Sequence, residues 1–302
     1  MNIHSDVSEL VGNTPLVLLR SFSTHARIVG KLEYLNPGGS AKDRVARAIL
    51  DGAARDGALA PGRRVLEKCG ANTAVSLSWM AACRGYQLEL VMPEDTAEIQ
   101  LGLCRSLGAQ VHLTAPPHVA DLWRQRQTQI DNAYLPDQFA NPLNAQAHQD
   151  TTAPEIWRDT DGEVDAVVAG IGTGGTLAGL SRFLKPLKPS CAVIGVEPRE
   201  APAFSQGRHG PHGIPGLGIP VRPIQLRPED LDEVILVDSD TAVQTARQLA
   251  RCEGVLAGVS SGAVLQAAVD YAARPANANK LIVIILCDGS RPYRDLLTRA
   301  DR

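Results

Sequence analysis

The sequence predicts an α/β protein with largely parallel sheets, and three observations carry that prediction. Short apolar runs alternate with segments of helical period along most of the chain, the pattern of repeated strand–helix units. The run Leu281 to Leu286 is apolar throughout, as a strand buried on both faces of a parallel sheet requires. Glycine-rich turns lead from extended segments into helices at Gly38-Gly39 and at Gly172 to Gly175.

Taken in order, Asn36 to Arg44 turns from an extended segment into a helix. Ser40 is a natural N-cap, and Asp43 three residues later completes a capping-box pattern. The helix that follows places Val45, Ala48, Ile49, Gly52 and Ala53 on one face. Arg64 to Leu66 reads as a short strand, with a helix from about Asn72 to Arg84 after it. Gln87 to Val91 is a strand ending at Met92-Pro93, Glu98 to Leu107 a helix, Gln110 to Leu113 a strand and Val119 to Ile130 a polar-faced helix. Asp165 to Ile171 is a buried strand feeding a glycine-rich turn and the helix Leu177 to Leu184. Ala192 to Glu197 is a strand, Ala242 to Cys252 and Ala263 to Ala272 are helices, and Leu281 to Leu286 belongs at the centre of a sheet. Phe204 to Pro228, rich in Gly, Pro and Arg, is a long loop of the kind that is functional or mobile. A boundary near residue 145 divides two strand–helix sets.

With 302 residues the length prior is two domains or subdomains. Hydrophobic content of 44% and charged content of 21% are those of a globular protein. A formal net charge of −3 without a basic run gives nucleic acid no footing. Met1 to Leu19 has no basic segment leading into a long apolar run, so no secretory leader is expected, and the longest apolar run is too short to span a bilayer. The six cysteines contain no CxxC pair and the seven histidines no HExxH pair, so neither a zinc site nor a disulfide framework is suggested. A reduced, cytoplasmic setting is the expectation.

Two motifs carry chemistry. Lys42 falls in the first turn of the helix after Ser40, where the positive end of the helix dipole disfavours an ammonium. The neutral amine is the form that attacks carbonyls to make a Schiff base; the other reading is a solvated lysine beside a cap. Gly172-Thr173-Gly174-Gly175-Thr176 follows a strand and opens a helix. Glycines let backbone N–H groups approach an anion, and threonine hydroxyls add donors. It is a phosphate cradle but not the dinucleotide fingerprint, because residue 177 is Leu where the last Gly should stand, and it lacks the Gly-Lys-Ser/Thr end of a P-loop. A tight strand-to-helix turn is the structural alternative. A Schiff-base lysine together with a phosphate cradle suggests pyridoxal phosphate (PLP).

The chain resembles the fold-type II PLP enzymes, and within them the cysteine synthase (O-acetylserine sulfhydrylase) and cystathionine β-synthase group, in its short bacterial form. Val11 to Leu16, Asn36 to Arg44, Asp137 to Pro142 with Thr151 to Trp157, Gly172 to Thr176, Gly216 to Pro220, Gly258 to Gly262 and Cys287 to Tyr293 follow the family order. The resemblance implies two subdomains, each a mostly parallel twisted sheet flanked by helices, with the cofactor in the cleft between them. The first would be 1–145, with 80–138 a mobile part and the first residues crossing to the other; the second would be 146–302. It implies that Lys42 forms the Schiff base and acts as general base. Asn72 would hydrogen-bond the ring hydroxyl, although it could instead be its helix's N-cap. Gly172, Thr173, Gly174, Gly175 and Thr176 would hold the phosphate. Gln138 would help bind the substrate carboxylate, and Gly216 lies in the segment that closes over the site. A homodimer is implied as well.

Two departures from the family bear on substrate. The family's carboxylate-gripping loop, usually Thr-Ser-Gly-Asn-Thr, is here Cys69-Gly70-Ala71-Asn72-Thr73. Two hydroxyl donors are lost, each worth roughly 1.5–3 kcal/mol toward a charged group, unless backbone N–H groups, Thr73 or Lys68 replace them. Cys69 reads as a small buried side chain more than as a reactive thiol. Near the pyridine nitrogen, Cys287-Asp288-Gly289-Ser290 puts Gly289 where a serine often sits, leaving Asp288 and Ser290 as candidates and the orientation of Asp288 open.

The resemblance implies β-replacement on an activated L-serine, O-acetyl or O-phospho, through an aminoacrylate intermediate, with a small nucleophile as second substrate. Lys31 to Ser40 also looks like relatives that make 2,3-diaminopropionate precursors or other non-proteinogenic amino acids. A serine or threonine dehydratase is a further alternative, though that group usually carries a run of glycines at the phosphate loop. A catalytically degenerate binding or regulatory homologue is the alternative from another class.

Overall fold

The computed structural model describes residues 3–219 and 223–298. Pro220, at the end of the motif beginning at Gly216, lies outside the described residues, as do the neighbouring residues of the long loop at 221–222. Among the described residues the strands are β1 (Leu16–Leu18), β2 (Arg27–Leu32), β3 (Arg64–Lys68), β4 (Gln87–Pro93), β5 (Gln110–Thr114), β6 (Ala166–Gly170), β7 (Ala192–Pro198), β8 (Glu233–Val237) and β9 (Leu281–Leu286). The helices are α1 (Lys42–Arg55), α2 (Ala71–Arg84), α3 (Glu98–Ser106), α4 (Val119–Gln129), α5 (Leu143–Ala147), α6 (Ala153–Asp159), α7 (Gly175–Leu187), α8 (Ala203–Gln206), α9 (Ser239–Glu253), α10 (Val259–Ala272) and α11 (Arg294–Thr298).

The chain divides into two compact units, one of Met1–Val11 and Asn36–Asn144, the other of Gly12–Leu35 and Ala145–Arg302. The division at Asn144 and Ala145 lies beside the boundary expected near 145, and the early residues that group with the other unit are Gly12–Leu35. Those residues join the second unit because β1 and β2 extend its sheet.

The first unit holds a parallel sheet in the order β3-β4-β5. One core layer joins Val65 and Leu90 to Ala46, Leu50, Leu77 and Met80 of α1 and α2. Leu66, Val91 and Ile130 pack with Leu122 and Trp123 of α4 in another. The expected face of α1 is buried at Val45, Ile49, Gly52 and Ala53, with Ala48 only half-buried, and it widens to include Ala46 and Leu50. Helix α2 ends where Gly85 takes a left-handed conformation, φ 69°, a geometry glycine adopts without a β-carbon clash.

The second unit holds a six-stranded sheet, β1-β2-β9-β6-β7-β8, parallel except that β1 runs antiparallel to β2. Strand β9 lies inside it between β2 and β6, where its uninterrupted apolar sequence belongs. Ile282, Ile284 and Leu286 point to the layer with α10, and Val283 and Ile285 to the layer with α7. Strand β2 was not evident from its sequence, because it carries Lys31. That side chain is fully buried and donates to Glu155 Oε2 at 2.7 Å and to the Thr14 carbonyl, with Asp159 Oδ2 at 3.8 Å. Glu155 also accepts the Asn13 N–H at 2.9 Å. Substituting Lys31→Met strips Glu155 of its buried cation, so a loss of about 3–5 kcal/mol in unfolding free energy is expected, read from the shift in urea midpoint.

The long loop over 204–228 contains α8 and a 3-10 turn, Pro228–Asp230, at its ends. No described helix is long and apolar enough to cross a membrane.

Candidate active site

In open parallel sheets, ligands bind beyond the carboxyl ends of the strands. In the first unit that edge carries the loop from β3 into α2; in the second it carries the loops after β6 and β9.

Lys42 is the first residue of α1 and is half-buried. The predicted capping box takes a different form. Ser40 Oγ accepts the N–H of Lys42 at 3.3 Å, and the residue at the N-cap position is Ala41, in helical conformation. The Asp43 carboxylate reaches back to the N–H of Gly38. It also accepts Ser76 Oγ at 2.6 Å and Trp79 Nε1 at 3.0 Å. Asp43 thereby ties the 38–43 turn to α2, and Lys42 opens a helix whose start is held by its neighbours.

The N-cap of α2 is Gly70, in extended conformation and without a side-chain cap. Asn72 is thus in the first turn and not the N-cap. Its Oδ1 accepts from Gln100 Nε2 of α3 at 3.1 Å, which sets the orientation of its amide. Gly70 is exposed, and a β-carbon there would meet nothing within 4 Å. Cys69 is buried in the core, its N–H spent on the Val91 carbonyl at 3.2 Å. Burial pushes its thiol well above its ordinary value, so the nucleophilic thiolate is disfavoured. Ala71 packs partly on the same core. Thr73, the remaining hydroxyl of the loop, is buried and donates to Gln138 Oε1 at 2.8 Å. The structure thus brings Thr73 and Gln138 together from 65 positions apart. Lys68, a suggested substitute for the lost donors, is committed elsewhere: its ammonium lies 3.7 Å over the Trp123 ring and 3.8 Å from Asp137 Oδ1.

Beneath this loop Glu67 is fully buried, and burial pushes its carboxyl up to about 8 from an ordinary 4.5, opposed by Lys68 and the Asp137 N–H. An unfolded chain ionises it near the ordinary value. Between pH 4.5 and about 8 the folded state therefore holds more protons than the unfolded one, and stability falls as pH rises through that window. Glu67→Gln cannot ionise. Its unfolding free energy relative to wild type is expected to climb steadily across the same interval in urea titrations at stepped pH.

In the second unit, α7 begins at Gly175, two residues before the predicted start, which puts Gly175 and Thr176 in its first turn. Gly174 is left-handed, φ 80°, and a β-carbon on it would lie 2.7 Å from Leu226 Cβ and 2.8 Å from Pro223 Cβ. A β-carbon on Gly172 would lie 2.6 Å from the Gly216 carbonyl oxygen. Only glycine fits either position. Gly216 is itself left-handed, φ 85°, and exposed, so its segment runs directly against the cradle. Thr173 is half-buried. Thr176 Oγ1 is hydrogen-bonded to His148 Nε2 at 3.1 Å, and His148 Nδ1 to Thr152 Oγ1 at 2.9 Å. His148 and Thr152 lie in a π-helical turn, His148–Thr152, a form frequent at functional sites, and nothing in the local sequence announced it.

The 287–290 segment follows β9, the neighbour of β6. Asp288 is buried, and Tyr293 Oη donates to its Oδ2 at 2.6 Å. Ser290 is half-buried, its N–H on the Leu256 carbonyl at 3.1 Å. Ser260 and Ser261, in the first turn of α10, belong to the Gly258 to Gly262 motif but carry no site role in the sequence reading. Both are buried, and Ser261 Oγ has no hydrogen-bond partner among the described residues. Their doublet between glycines was the available signal.

In the second unit, the glycine-lined cradle at the N-terminus of the 13-residue helix α7 suits a phosphate group. In the first unit, the lysine that opens α1 supplies an amine of the kind that bonds a carbonyl. Each feature, taken by itself, suits one end of a phosphorylated carbonyl cofactor. The sequence model of the pyridoxal-phosphate dependent enzyme family matches residues 7–288. Cysteine synthase 3 of Caenorhabditis elegans is 42% identical over 285 residues, 92% of this chain and 85% of that protein. The crystal structure of O-acetylserine sulfhydrylase isoform 3 from Entamoeba histolytica superposes with a TM-score of 0.94 at 35% identity, covering 100% of this chain and 93% of that one. An O-ureido-L-serine synthase superposes with a TM-score of 0.94 at 31% identity, covering 99% and 97%. The chain belongs to the pyridoxal-phosphate dependent enzymes, and its cofactor is PLP.

Proposed function

We propose that this enzyme catalyses β-replacement on an activated L-serine, as a cysteine synthase does. The likeness to cysteine synthase 3 along 92% of the chain carries this reading. PLP, when bound, supplies an electron sink that acidifies the substrate α-carbon. Lys42 Nζ would hold the cofactor and, once free, would take the α-proton from the bound amino acid. The bond from Cβ to the acetyl or phosphoryl oxygen breaks, the leaving group departs with its electron pair, a nucleophile's lone pair forms the new bond to Cβ, and the proton returns to Cα. Gly172, Thr173, Gly174, Gly175 and Thr176 would hold the phosphate, and Asn72 would hydrogen-bond the ring hydroxyl. Thr73 and Gln138, with the N–H groups opening α2, bind the substrate carboxylate. A hydroxyl in the first turn of α10 is a candidate for the ring nitrogen besides Asp288 and Ser290. The six free cysteines suit a reduced cytoplasm, and a homodimer is proposed from the family likeness.

The second reading is a variant β-replacement enzyme making a non-proteinogenic amino acid. The open, hydroxyl-free loop at Cys69-Gly70-Ala71 favours it, as does the likeness to an O-ureido-L-serine synthase. Product analysis by mass spectrometry decides. O-acetyl-L-serine or O-phospho-L-serine with sulfide is expected to give cysteine. Preferential product with an amine, urea-type or thiol acceptor supports the variant reading. A keto acid and ammonia, or no product from PLP-loaded protein, contradicts both.

A further inference from the structure

We propose that Glu67 is a positioning residue for substrate binding, fixing through the Asp137 N–H the turn that presents Gln138. The inference rests on the reading of Gln138 as a carboxylate-binding residue.

Glu67 lies in β3, fully buried, and its Oε2 accepts the Asp137 N–H at 2.6 Å. Its Oε1 is buried with no hydrogen-bond partner among the described residues. A carboxyl kept in a core with one oxygen unserved needs a compensating role. The group it holds is under strain: Asp137 has φ 42°, in the left-handed region that a residue with a β-carbon rarely enters. Such backbone persists only where its surroundings enforce it.

The turn after Asp137 is closely tied. The Ala140 and Asn141 N–H groups both donate to the Asp137 carbonyl, at 3.0 and 2.8 Å. Asn144 Nδ2 donates to the Gln138 carbonyl at 2.8 Å, and Thr73 Oγ1 to Gln138 Oε1 at 2.8 Å. Thr73 takes the oxygen, so the orientation of the Gln138 amide is set. Glu67 anchors the same turn from inside the sheet. A neutral acid serves for this, since the task needs an acceptor and not a charge. The elevated carboxyl pKa agrees with that state. Glu67 is too deeply buried to touch a substrate, so it acts through Asp137 and Gln138 alone.

Two variants separate positioning from bulk. Glu67→Leu keeps the volume and removes the acceptor; Glu67→Gln keeps an acceptor oxygen. Glu67→Leu is expected to speed hydrogen exchange of the 137–141 amides about tenfold and to raise KM for the amino-acid substrate about tenfold. Its kcat and visible cofactor absorbance stay near wild type, and Glu67→Gln restores both exchange and KM. The proposal is overturned if the two variants behave alike, or if Glu67→Leu lowers kcat and cofactor content together with raising KM. Should Glu67→Leu not fold, Glu67→Asp, whose carboxyl is drawn back by one methylene, takes its place in the same comparison. A wild-type protein that turns over no serine derivative overturns the proposed function by itself. The exchange comparison needs no turnover and still decides for or against the role of Glu67.

Discussion

Alanine at Lys42 is expected to lower turnover by about a thousandfold or more and to abolish covalent retention of PLP, while the protein still folds and still binds PLP reversibly. The fold should survive because the start of α1 does not depend on the lysine side chain. Asp43 ties it to Gly38, Ser76 and Trp79, Ser40 Oγ accepts the Lys42 N–H, and alanine is a better helix former than lysine. The loss is therefore chemical: no amine remains to hold the cofactor or move the α-proton. Lys42→Arg sharpens the test. It keeps a cation at the helix start but cannot be deprotonated, so its rate should fall with that of Lys42→Ala. Steady-state kinetics and gel-filtered absorbance spectra check both.

The second large effect falls on the cradle. Alanine at Gly174 must adopt φ near 80° and place its β-carbon 2.7 Å from Leu226 Cβ and 2.8 Å from Pro223 Cβ. The left-handed backbone alone costs about 1–2 kcal/mol for a residue with a β-carbon, and the contacts force the loop to move. Since charge-assisted hydrogen bonds to an anion contribute about 1.5–3 kcal/mol each, displacing the N–H groups that open α7 should weaken PLP binding about a hundredfold. Fluorescence titration of the apoprotein with PLP measures the affinity, and urea unfolding measures the strain. Gly70→Ala is the control: Gly70 has φ −78°, and its β-carbon enters open space, so PLP affinity and stability should stay near wild type.

What the sequence reveals and what it hides follow from the range of the interactions. Strand β9 is legible because each of its residues is apolar, and the cradle because glycine spacing after a strand has a local cause. The start of α2 is legible to within a residue. Strand β2 is not, since Lys31 reads as solvent-facing until its partner Glu155, 124 positions away, is known. Strand β8 is a short edge element whose acidic flank disguises it. The capping box at Ser40 and Asp43 was half legible. Both residues hold the turn, but Asp43 bonds Gly38 because Ser76 and Trp79 draw its carboxylate toward α2. At the site, Lys42 and Gly172 to Thr176 announce themselves locally. Thr73 with Gln138, Glu67 with Asp137, and Thr176 with His148 are pairings of distant positions that no periodicity encodes. Ser261 was visible as a residue but not as an orphaned hydroxyl, because that depends on everything packed around it.

The central claim is that Lys42 carries the cofactor. Borohydride fixes a bond between PLP and a lysine amine, and peptide mass spectrometry then locates it. The added pyridoxyl phosphate mass is predicted on the peptide containing Lys42 and nowhere else. The same mass on a peptide holding Lys31 or Lys68 and not Lys42, or no modified peptide from protein that has bound PLP, would contradict the account.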